Sequence, residues 1–264
     1  MKLLKCPKAL CKLLWGTLLF SALASPIEAA DLHAIIVTDT LAVNIGASVE
    51  ADLQKVDREV TRISLYADLP YKKYIIKGRE ITSKVILATI KSLAVNSDDV
   101  VFFYFSGHGY RTRLKKSDWP NLFITRENCG IDFDLIRSEV EKKCPRLMVI
   151  FADVCNNIVP DVFAPRLISK GLRLESSSAI NEAYISLYRN SFGKILISGA
   201  QTGEFAWCTP RGALFTDAWI ESMVEEGSFG NLAEWENVLN RASLRVKEDQ
   251  NPFFEINLKQ KSPL

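Results

Sequence analysis

The sequence predicts an α/β domain with a mostly parallel central sheet and helices on both faces. Strand-like and helix-like segments alternate along the chain, as they do when crossover helices join parallel strands. Two continuous apolar runs, at residues 100–105 and 147–152, have the composition of strands that are covered on both faces. The 264 residues contain no internal repeat and are enough for one such domain with a sizeable core.

Hydrophobic periodicity predicts the elements of the first half. A β-branched strand at residues 32–38 leads through a loop to a helix, which Ser48 caps and which ends near residue 67. The next predicted elements are a strand at 71–77, a helix at 82–93, the buried strand at 100–105, a small strand at 122–125 and a helix at 131–142.

The second half resumes the alternation after one break. Residues 156–191 contain two prolines, several serines and only weak periodicity, which predicts an irregular segment of functional importance or high mobility. The other predicted elements of this half are the strand at 147–152, a strand at 194–198, helices at 213–226 and 232–247, and a last strand at 253–258.

Reactive residues follow the two buried strands. Gly107-His108-Gly109 comes after the first, and Asp153-Val154-Cys155 comes after the second. Open α/β sheets bind ligands at the carboxyl ends of their strands, so we expect His108 and Cys155 to lie close together. Each residue alone is compatible with a structural role. An imidazole beside a thiol lowers its pKa and positions it, so the pair favours nucleophilic catalysis.

These motifs resemble the paired motifs of caspase-fold cysteine peptidases, in the metacaspase and bacterial caspase-like branch. The resemblance extends to residues 32–37, 48–53, 197–207 and 212–216, and thus covers about residues 32–258. It implies a caspase-like fold. One departure is Asn156-Asn157 after the cysteine, where metacaspases usually have His-Ser and animal caspases Arg-Gly or similar. The animal pentapeptide with Gln before the cysteine is also absent.

The resemblance implies roles for the two motifs. Cys155 is the expected nucleophile of an endopeptidase, and His108 is its base or ion-pair partner, which later protonates the leaving amine. The backbone N–H groups of Gly109 and Cys155 are the expected oxyanion hole. The chemistry requires no cofactor, and no zinc-ligand spacing occurs in the sequence. Calcium stimulation is common in such enzymes, although the sequence has no dedicated acidic loop for it.

Three carboxylates are candidates for a substrate pocket. Asp153 precedes Cys155 by two residues, and alternation along a strand directs both side chains to the same side. By the resemblance, the matching Asp lines a pocket for a basic side chain, with Asp52 on the first helix and Glu204 as further candidates. The expected substrates are therefore proteins or peptides cleaved after Arg or Lys. Capping by Asp153, and solvated surface roles for Asp52 and Glu204, stay open.

The first 24 residues have the layout of a secretory signal peptide. Four lysines precede an apolar run at residues 13–23 that is too short for a comfortable membrane span, and Ala22-Leu23-Ala24 offers a cleavage site, with an alternative near residue 29. We expect residues 30–260 to form an exported peptidase domain, secreted or periplasmic and without a membrane segment. An uncleaved anchor stays open. Cleavage leaves 29 basic against 31 acidic residues, which gives no reason to expect nucleic-acid binding.

Two further expectations concern the mature chain. Arg166, Lys170 and Arg173 lie in the irregular segment where caspase relatives are often cut, so self-cleavage is expected there. The oligomeric state and the disulfide state of Cys129, Cys144 and Cys208 stay open, including a Cys129–Cys144 bridge.

Two other function classes compete with this interpretation. Asn156-Asn157 keeps open a catalytically weak or inactive caspase-fold module that binds proteins. An unrelated α/β hydrolase or nucleotide-binding domain is disfavoured, because the sequence contains no G-x-S-x-G, P-loop or G-x-G-x-x-G motif.

Overall fold

A computed structural model describes residues 30–158 and 179–259 of the chain. The strands are β1 (Leu32–Thr38), β2 (Tyr71–Lys77), β3 (Val100–Ser106), β4 (Gly109–Tyr110), β5 (Asn121–Ile124), β6 (Cys129–Asp132), β7 (Leu147–Asp153), β8 (Gly193–Ser198), β9 (Cys208–Thr209), β10 (Gly212–Ala213) and β11 (Phe253–Leu258). The α-helices are α1 (Gly46–Ala67), α2 (Ser83–Ser92), α3 (Phe133–Glu141), α4 (Ala179–Tyr184), α5 (Leu214–Glu226) and α6 (Trp235–Val246). Short 3₁₀ helices span Gly78–Glu80 and Gly227–Leu232, and a π-helix spans Ile185–Arg189.

A six-stranded sheet in the order β11-β8-β7-β3-β1-β2 forms the centre of the fold. The pairs from β8 to β2 are all parallel, and β11 runs antiparallel at one edge. A three-stranded sheet, β4-β5-β6, and the β9-β10 pair complete the strand pairing of the described residues. The predicted fold class, an α/β protein with a mostly parallel sheet, is confirmed.

Side chains of the central strands alternate between two hydrophobic layers. On β3, Phe102 and Tyr104 face the layer that contains α1, α5 and α6, whereas Phe103 and Phe105 face the layer that contains α2 and α3. Every residue of β1, β3 and β7 is buried. Burying one large apolar side chain contributes about 1.5–3 kcal/mol, so two covered faces explain why these strands lack polar alternation.

His33 stabilises the amino-terminal edge of the sheet. Its Nε2 atom lies 2.9 Å from Oδ2 of Asp99, and both side chains are buried. Burial raises the pKa of Asp99, but hydrogen bonds from the Asn96 and Asp31 amides and from His33 outweigh it and lower that pKa. His33 thus lies at the edge of the sheet opposite to the residues that follow β3 and β7.

Besides the helix predicted from residue 232, which begins at Trp235, three boundary predictions are wrong. Ser48 does not cap α1, because the helix begins at Gly46 and Ser48 is buried inside its first turn. The helix predicted from residue 131 begins at Phe133, since residues 129–132 form β6 and the Asp132 carboxylate accepts a hydrogen bond from the Asp134 amide at the start of α3.

The third wrong boundary lies in the irregular segment predicted at 156–191, which is helical from Ala179 to Arg189. Tyr184 and Tyr188 are buried there, and the Tyr184 hydroxyl donates to Glu59 of α1. Aromatic burial against α1 therefore orders a stretch whose periodicity is weak. Arg166, Lys170 and Arg173, and the predicted signal peptide, lie outside the described residues.

The structure also describes the state of two cysteines and the apolarity of the helices. Cys129 and Cys144 are free and exposed, so the described structure has no bridge between them. Within residues 30–158 and 179–259, no helix is long and apolar enough to cross a membrane.

Candidate active site

The two predicted catalytic motifs leave the same edge of the sheet. Ser106, the last residue of β3, pairs with Asp153, the last residue of β7. His108 and Cys155 each follow two residues after the end of their strand, and the two strands are parallel neighbours. Gly109 packs directly on the main chain of the cysteine: a Cβ atom placed on Gly109 would lie 2.4 Å from the Cys155 carbonyl oxygen. Only glycine permits so close a backbone approach.

A backbone carbonyl orients the His108 ring. Nε2 of His108 lies 3.0 Å from the carbonyl oxygen of Val43, in the loop between β1 and α1. A carbonyl oxygen only accepts hydrogen bonds, so Nε2 carries the proton of the neutral ring. Nδ1 is then unprotonated, which is the state that a general base needs.

The Cys155 thiol has a different partner. Its Sγ atom donates to the carbonyl oxygen of Ala206, at 3.5 Å, in the loop between β8 and β9. Burial raises the pKa of Cys155 to about 11, partly offset by the Ala206 bond and reinforced by the Asp153 carboxylate. The thiol is therefore neutral at pH 7. Among the described residues, no hydrogen bond joins it directly to His108.

Asp52 is one of two buried carboxylates at this edge of the sheet. It is fully buried (0% exposed), and it accepts hydrogen bonds from the Ser106 hydroxyl at 2.7 Å and the Ala213 amide at 2.8 Å. Burial, and then the charge of Asp153, raise the pKa of Asp52 to about 7. The alternative of a solvated surface role for Asp52 is therefore excluded.

Asp153 is the second buried carboxylate, and it is 3% exposed. Its Oδ2 accepts hydrogen bonds from the amide and the hydroxyl of Thr216, at 2.8 and 2.7 Å, at the start of α5. Its buried Oδ1 has no partner among the described residues. Burial raises the pKa of Asp153 to about 6, although both Thr216 bonds oppose the shift.

The β10 backbone and a lysine surround Asp52. A Cβ atom placed on Gly212 would lie 2.4 Å from Oδ1 of Asp52 and 2.7 Å from Nζ of Lys55. The Lys55 ammonium itself is paired with Asp217 of α5, and it partly offsets the rise that burial causes in the pKa values of Asp52 and Asp217. One resident cation thus partly compensates the acidic cluster.

The Glu204 side chain does not join these two aspartates. Its carboxylate accepts hydrogen bonds from Asn251 and from Gln201 instead. Only its main chain reaches the cysteine loop, where its carbonyl oxygen accepts from the Asn156 amide at 2.9 Å. Within the described residues, no group of three or more His, Cys, Asp and Glu side chains could hold a metal ion.

Several residues of the site carried no recognisable sequence signal. Val43 and Ala206 act through backbone carbonyls, which any residue supplies. Thr216 lies in a stretch that resembles the family, but its pairing with Asp153 depends on packing between α5 and β7. By sequence, Arg111 belongs to a basic loop at residues 111–116 that suggests exposure to solvent. In the structure it is buried and contacts Asn156. The departure at Asn156 was the one available signal for this contact.

The comparisons with known proteins agree with this geometry. The family model of the caspase domain matches residues 41–262. Among solved structures, Caspase-1 from Spodoptera frugiperda is 14% identical, with a TM-score of 0.57, over 86% of this chain and 88% of that one. The protein GSU0716 from Geobacter sulfurreducens is also 14% identical, with a TM-score of 0.55, over 85% of this chain and 92% of that one.

At these identities the two solved structures establish the fold alone. No curated protein sequence matches the chain. The family match covers most of the chain, and the reactive residues lie at the carboxyl edge of the sheet. The chain therefore belongs to the caspase-domain family, and this membership indicates a cysteine peptidase.

Proposed function

We propose that the protein is an exported endopeptidase that uses His108 and Cys155 to hydrolyse peptide bonds after Arg or Lys. The observation that carries the proposal is the pair of buried carboxylates, Asp52 and Asp153. Asp153 lies two residues before Cys155, and its Oδ1 atom has no hydrogen-bond partner among the described residues. A buried carboxylate oxygen that lacks a partner is costly, and a bound cation removes that cost.

The proposed reaction begins from the neutral thiol. A bound substrate displaces the Ala206 carbonyl, and Nδ1 of His108 accepts the thiol proton while Nε2 stays bonded to Val43. The thiolate attacks the scissile carbonyl carbon, and the N–H groups of Gly109 and Cys155 stabilise the oxyanion. His108 then protonates the leaving amine, and water hydrolyses the acyl-enzyme with His108 again as base. Losing one oxyanion donor typically costs about 100- to 1,000-fold in rate.

The buried carboxylates of Asp52 and Asp153, called the acidic pocket below, explain the proposed preference for basic residues. An Arg or Lys side chain brings a positive charge to two carboxylates whose pKa values burial has raised to about 7 and about 6. An Asp or Glu side chain would add a third buried negative charge. Gly212 and Ala213 cover Asp52, so we expect β10 to shift when a basic side chain enters.

The test uses short reporter peptides with Arg, Lys or Asp before the cleaved bond, in reductant, with and without calcium. We expect cleavage after Arg and Lys, loss of activity in Cys155→Ala and His108→Ala, and a selective loss in Asp153→Asn. Glu204→Gln is the matched control, since its carboxylate is bonded to Asn251 instead of facing the pocket. Equal cleavage after Asp would refute the basic preference.

A second candidate is a catalytically weak or inactive module that binds proteins. The neutral thiol, whose pKa is raised to about 11, and the lack of a direct bond to His108 favour it. The absence of turnover with every peptide, at pH 6 to 9 and with calcium, would support this candidate.

Export and self-cleavage complete the proposal. Expression with the native first 24 residues, followed by N-terminal sequencing of the exported protein, tests the signal peptide. New N-termini after Arg166, Lys170 or Arg173 in wild type, and none in Cys155→Ala, would support self-cleavage. An intact chain in an active preparation would remove that idea.

A further inference from the structure

Asn156, directly after the candidate nucleophile, is a fully buried polar residue (0% exposed) with every polar group bonded. Its amide donates to the carbonyl oxygen of Glu204, and its own carbonyl accepts from the Gly203 amide, each at 2.9 Å. Its side-chain nitrogen donates to the Asp118 and Ala200 carbonyls, at 2.7 and 3.4 Å. Its side-chain oxygen is left for a donor.

Arg111, three residues after His108, supplies that donor. Its side chain is buried (6% exposed), and one guanidinium nitrogen donates to the Asn156 Oδ1 at 3.3 Å and to the Thr202 hydroxyl at 3.1 Å. The other nitrogen donates to the carbonyls of Lys115 and Ser117, at 3.0 and 2.7 Å. No carboxylate of the described residues forms an ion pair with it, so neutral oxygens alone satisfy the buried cation.

A main-chain link runs parallel to this side-chain contact. The Arg111 amide donates to the carbonyl oxygen of Asn157 at 3.0 Å. The segment 108–111 and the segment 155–157 are therefore joined at Gly109, where the backbone touches Cys155, and again at Arg111. Both reactive residues lie within three residues of these links.

We propose that Arg111 and Asn156 are positioning residues that fix the distance between His108 and Cys155. This inference rests on the proposed peptidase function. In this state no hydrogen bond joins the imidazole to the thiol, so their separation must be held by the segments that carry them. Near-attack geometry is sensitive: a displacement of about 1 Å can cost about 100-fold in rate.

The two side chains are specific to this task. Asn156 donates twice and accepts once, whereas Asp could only accept and would lose both carbonyl partners. Arg111 reaches acceptors in three segments with a planar fork, which the single ammonium of Lys cannot reproduce. Asn156, where the sequence departs from the related motifs, thus accepts a hydrogen bond from the guanidinium of Arg111, three residues after His108.

The first experiment compares kcat and KM for an Arg peptide in Arg111→Met and Arg111→Lys. We expect kcat to fall about 100-fold in Arg111→Met and less in Arg111→Lys, with KM within about three-fold, because neither substitution touches Asp52 or Asp153. The matched control is Arg113→Met, an exposed residue of the same loop, which should behave as wild type.

The second experiment does not need turnover. The rate of Cys155 alkylation by iodoacetamide is followed against pH, by mass spectrometry of the peptide that contains it. In wild type, iodoacetamide displaces the Ala206 carbonyl and His108 takes the thiol proton, so the rate at neutral pH should exceed that of His108→Ala. In Arg111→Met the profile should move toward that of His108→Ala, where the rate follows the thiol alone at higher pH.

The third experiment tests coupling and guards against misfolding. Because the two residues act through one contact, the double variant Arg111→Met/Asn156→Leu should lose no more activity than the more damaged single variant. Thr202→Val removes the hydroxyl that accepts a hydrogen bond from Arg111, and it replaces the other variants if these fail to fold. We expect kcat to fall several-fold in this variant.

Each outcome has a separate meaning. A lowered melting temperature in Arg111→Met, with wild-type kcat and a wild-type alkylation profile, would overturn the inference and leave Arg111 a structural residue. Additive losses in the double variant would also overturn it. If wild type cleaves no peptide, the proposed function fails, while the alkylation profiles still test the positioning of His108 against Cys155.

Discussion

Replacing Asp52 with Asn should make the protein more stable at pH 8 and a poorer peptidase for basic substrates. The Asp52 carboxyl has a pKa of about 7 in the folded protein, against 3.8 for an unperturbed carboxyl. The folded state therefore binds more protons than the unfolded state between about pH 4 and pH 7. The contribution of Asp52 to stability is highest below pH 4, falls as pH rises to 7, and stays low above it.

The size of the effect follows from the same shift. About three pH units at about 1.4 kcal/mol each correspond to roughly 4 kcal/mol of unfolding free energy lost above pH 7. Asn keeps an oxygen for the Ala213 amide and a donor for the Ser106 hydroxyl. We expect Asp52→Asn to gain about 2–4 kcal/mol at pH 8 and almost nothing at pH 4.

Urea unfolding at pH 4, 6 and 8 measures the predicted change in stability. The value of kcat/KM for an Arg peptide measures the predicted loss of peptidase activity. Glu50→Gln, on the more exposed face of the same helix, is the control and should change stability by less than about 0.5 kcal/mol. A loss of stability at pH 8 in Asp52→Asn, together with unchanged cleavage of the Arg peptide, would refute the reasoning.

Three further predictions concern other parts of the site and the fold. Gly109→Ala, which forces a methyl group to 2.4 Å from a carbonyl oxygen, should cost about 1–3 kcal/mol of stability and lower kcat at least 100-fold; wild-type kinetics would contradict the close packing. His33→Ala should cost about 1–3 kcal/mol in urea unfolding, because it removes a partner of buried Asp99, and should leave kcat unchanged at 20 °C. Thr216→Val removes a bond that lowers the pKa of Asp153, so the acid limb of kcat/KM for Arg peptides should move to higher pH; a shift to lower pH would exclude Asp153 from the pocket.

The architecture was predictable because it depends on local composition. Two apolar runs marked β3 and β7 as central, and parallel strands carry whatever follows them to one edge of the sheet. The close approach of the segments holding His108 and Cys155 follows from that rule alone. The burial of Asp153 beside the thiol could likewise be expected from alternation at the end of β7.

The remaining features depend on contacts that no local pattern encodes. Whether Ser48 caps α1 or lies inside it depends on where the β1–α1 loop ends. Glu204 precedes a partner, Asn251, that lies 47 residues away. Arg111 has the composition of a solvated loop, and only the structure brings it to Asn156 across 45 residues.

The hydrogen bond between the Cys155 thiol and the Ala206 carbonyl has a consequence for the oxidation of this sulfur. Oxidants attack the thiolate much faster than the thiol. With a pKa of about 11, roughly one Cys155 in ten thousand is ionised at pH 7 in this arrangement. Under the proposed mechanism, the protein would keep its sulfur reduced between encounters with substrate and would expose a reactive sulfur only while a substrate is bound.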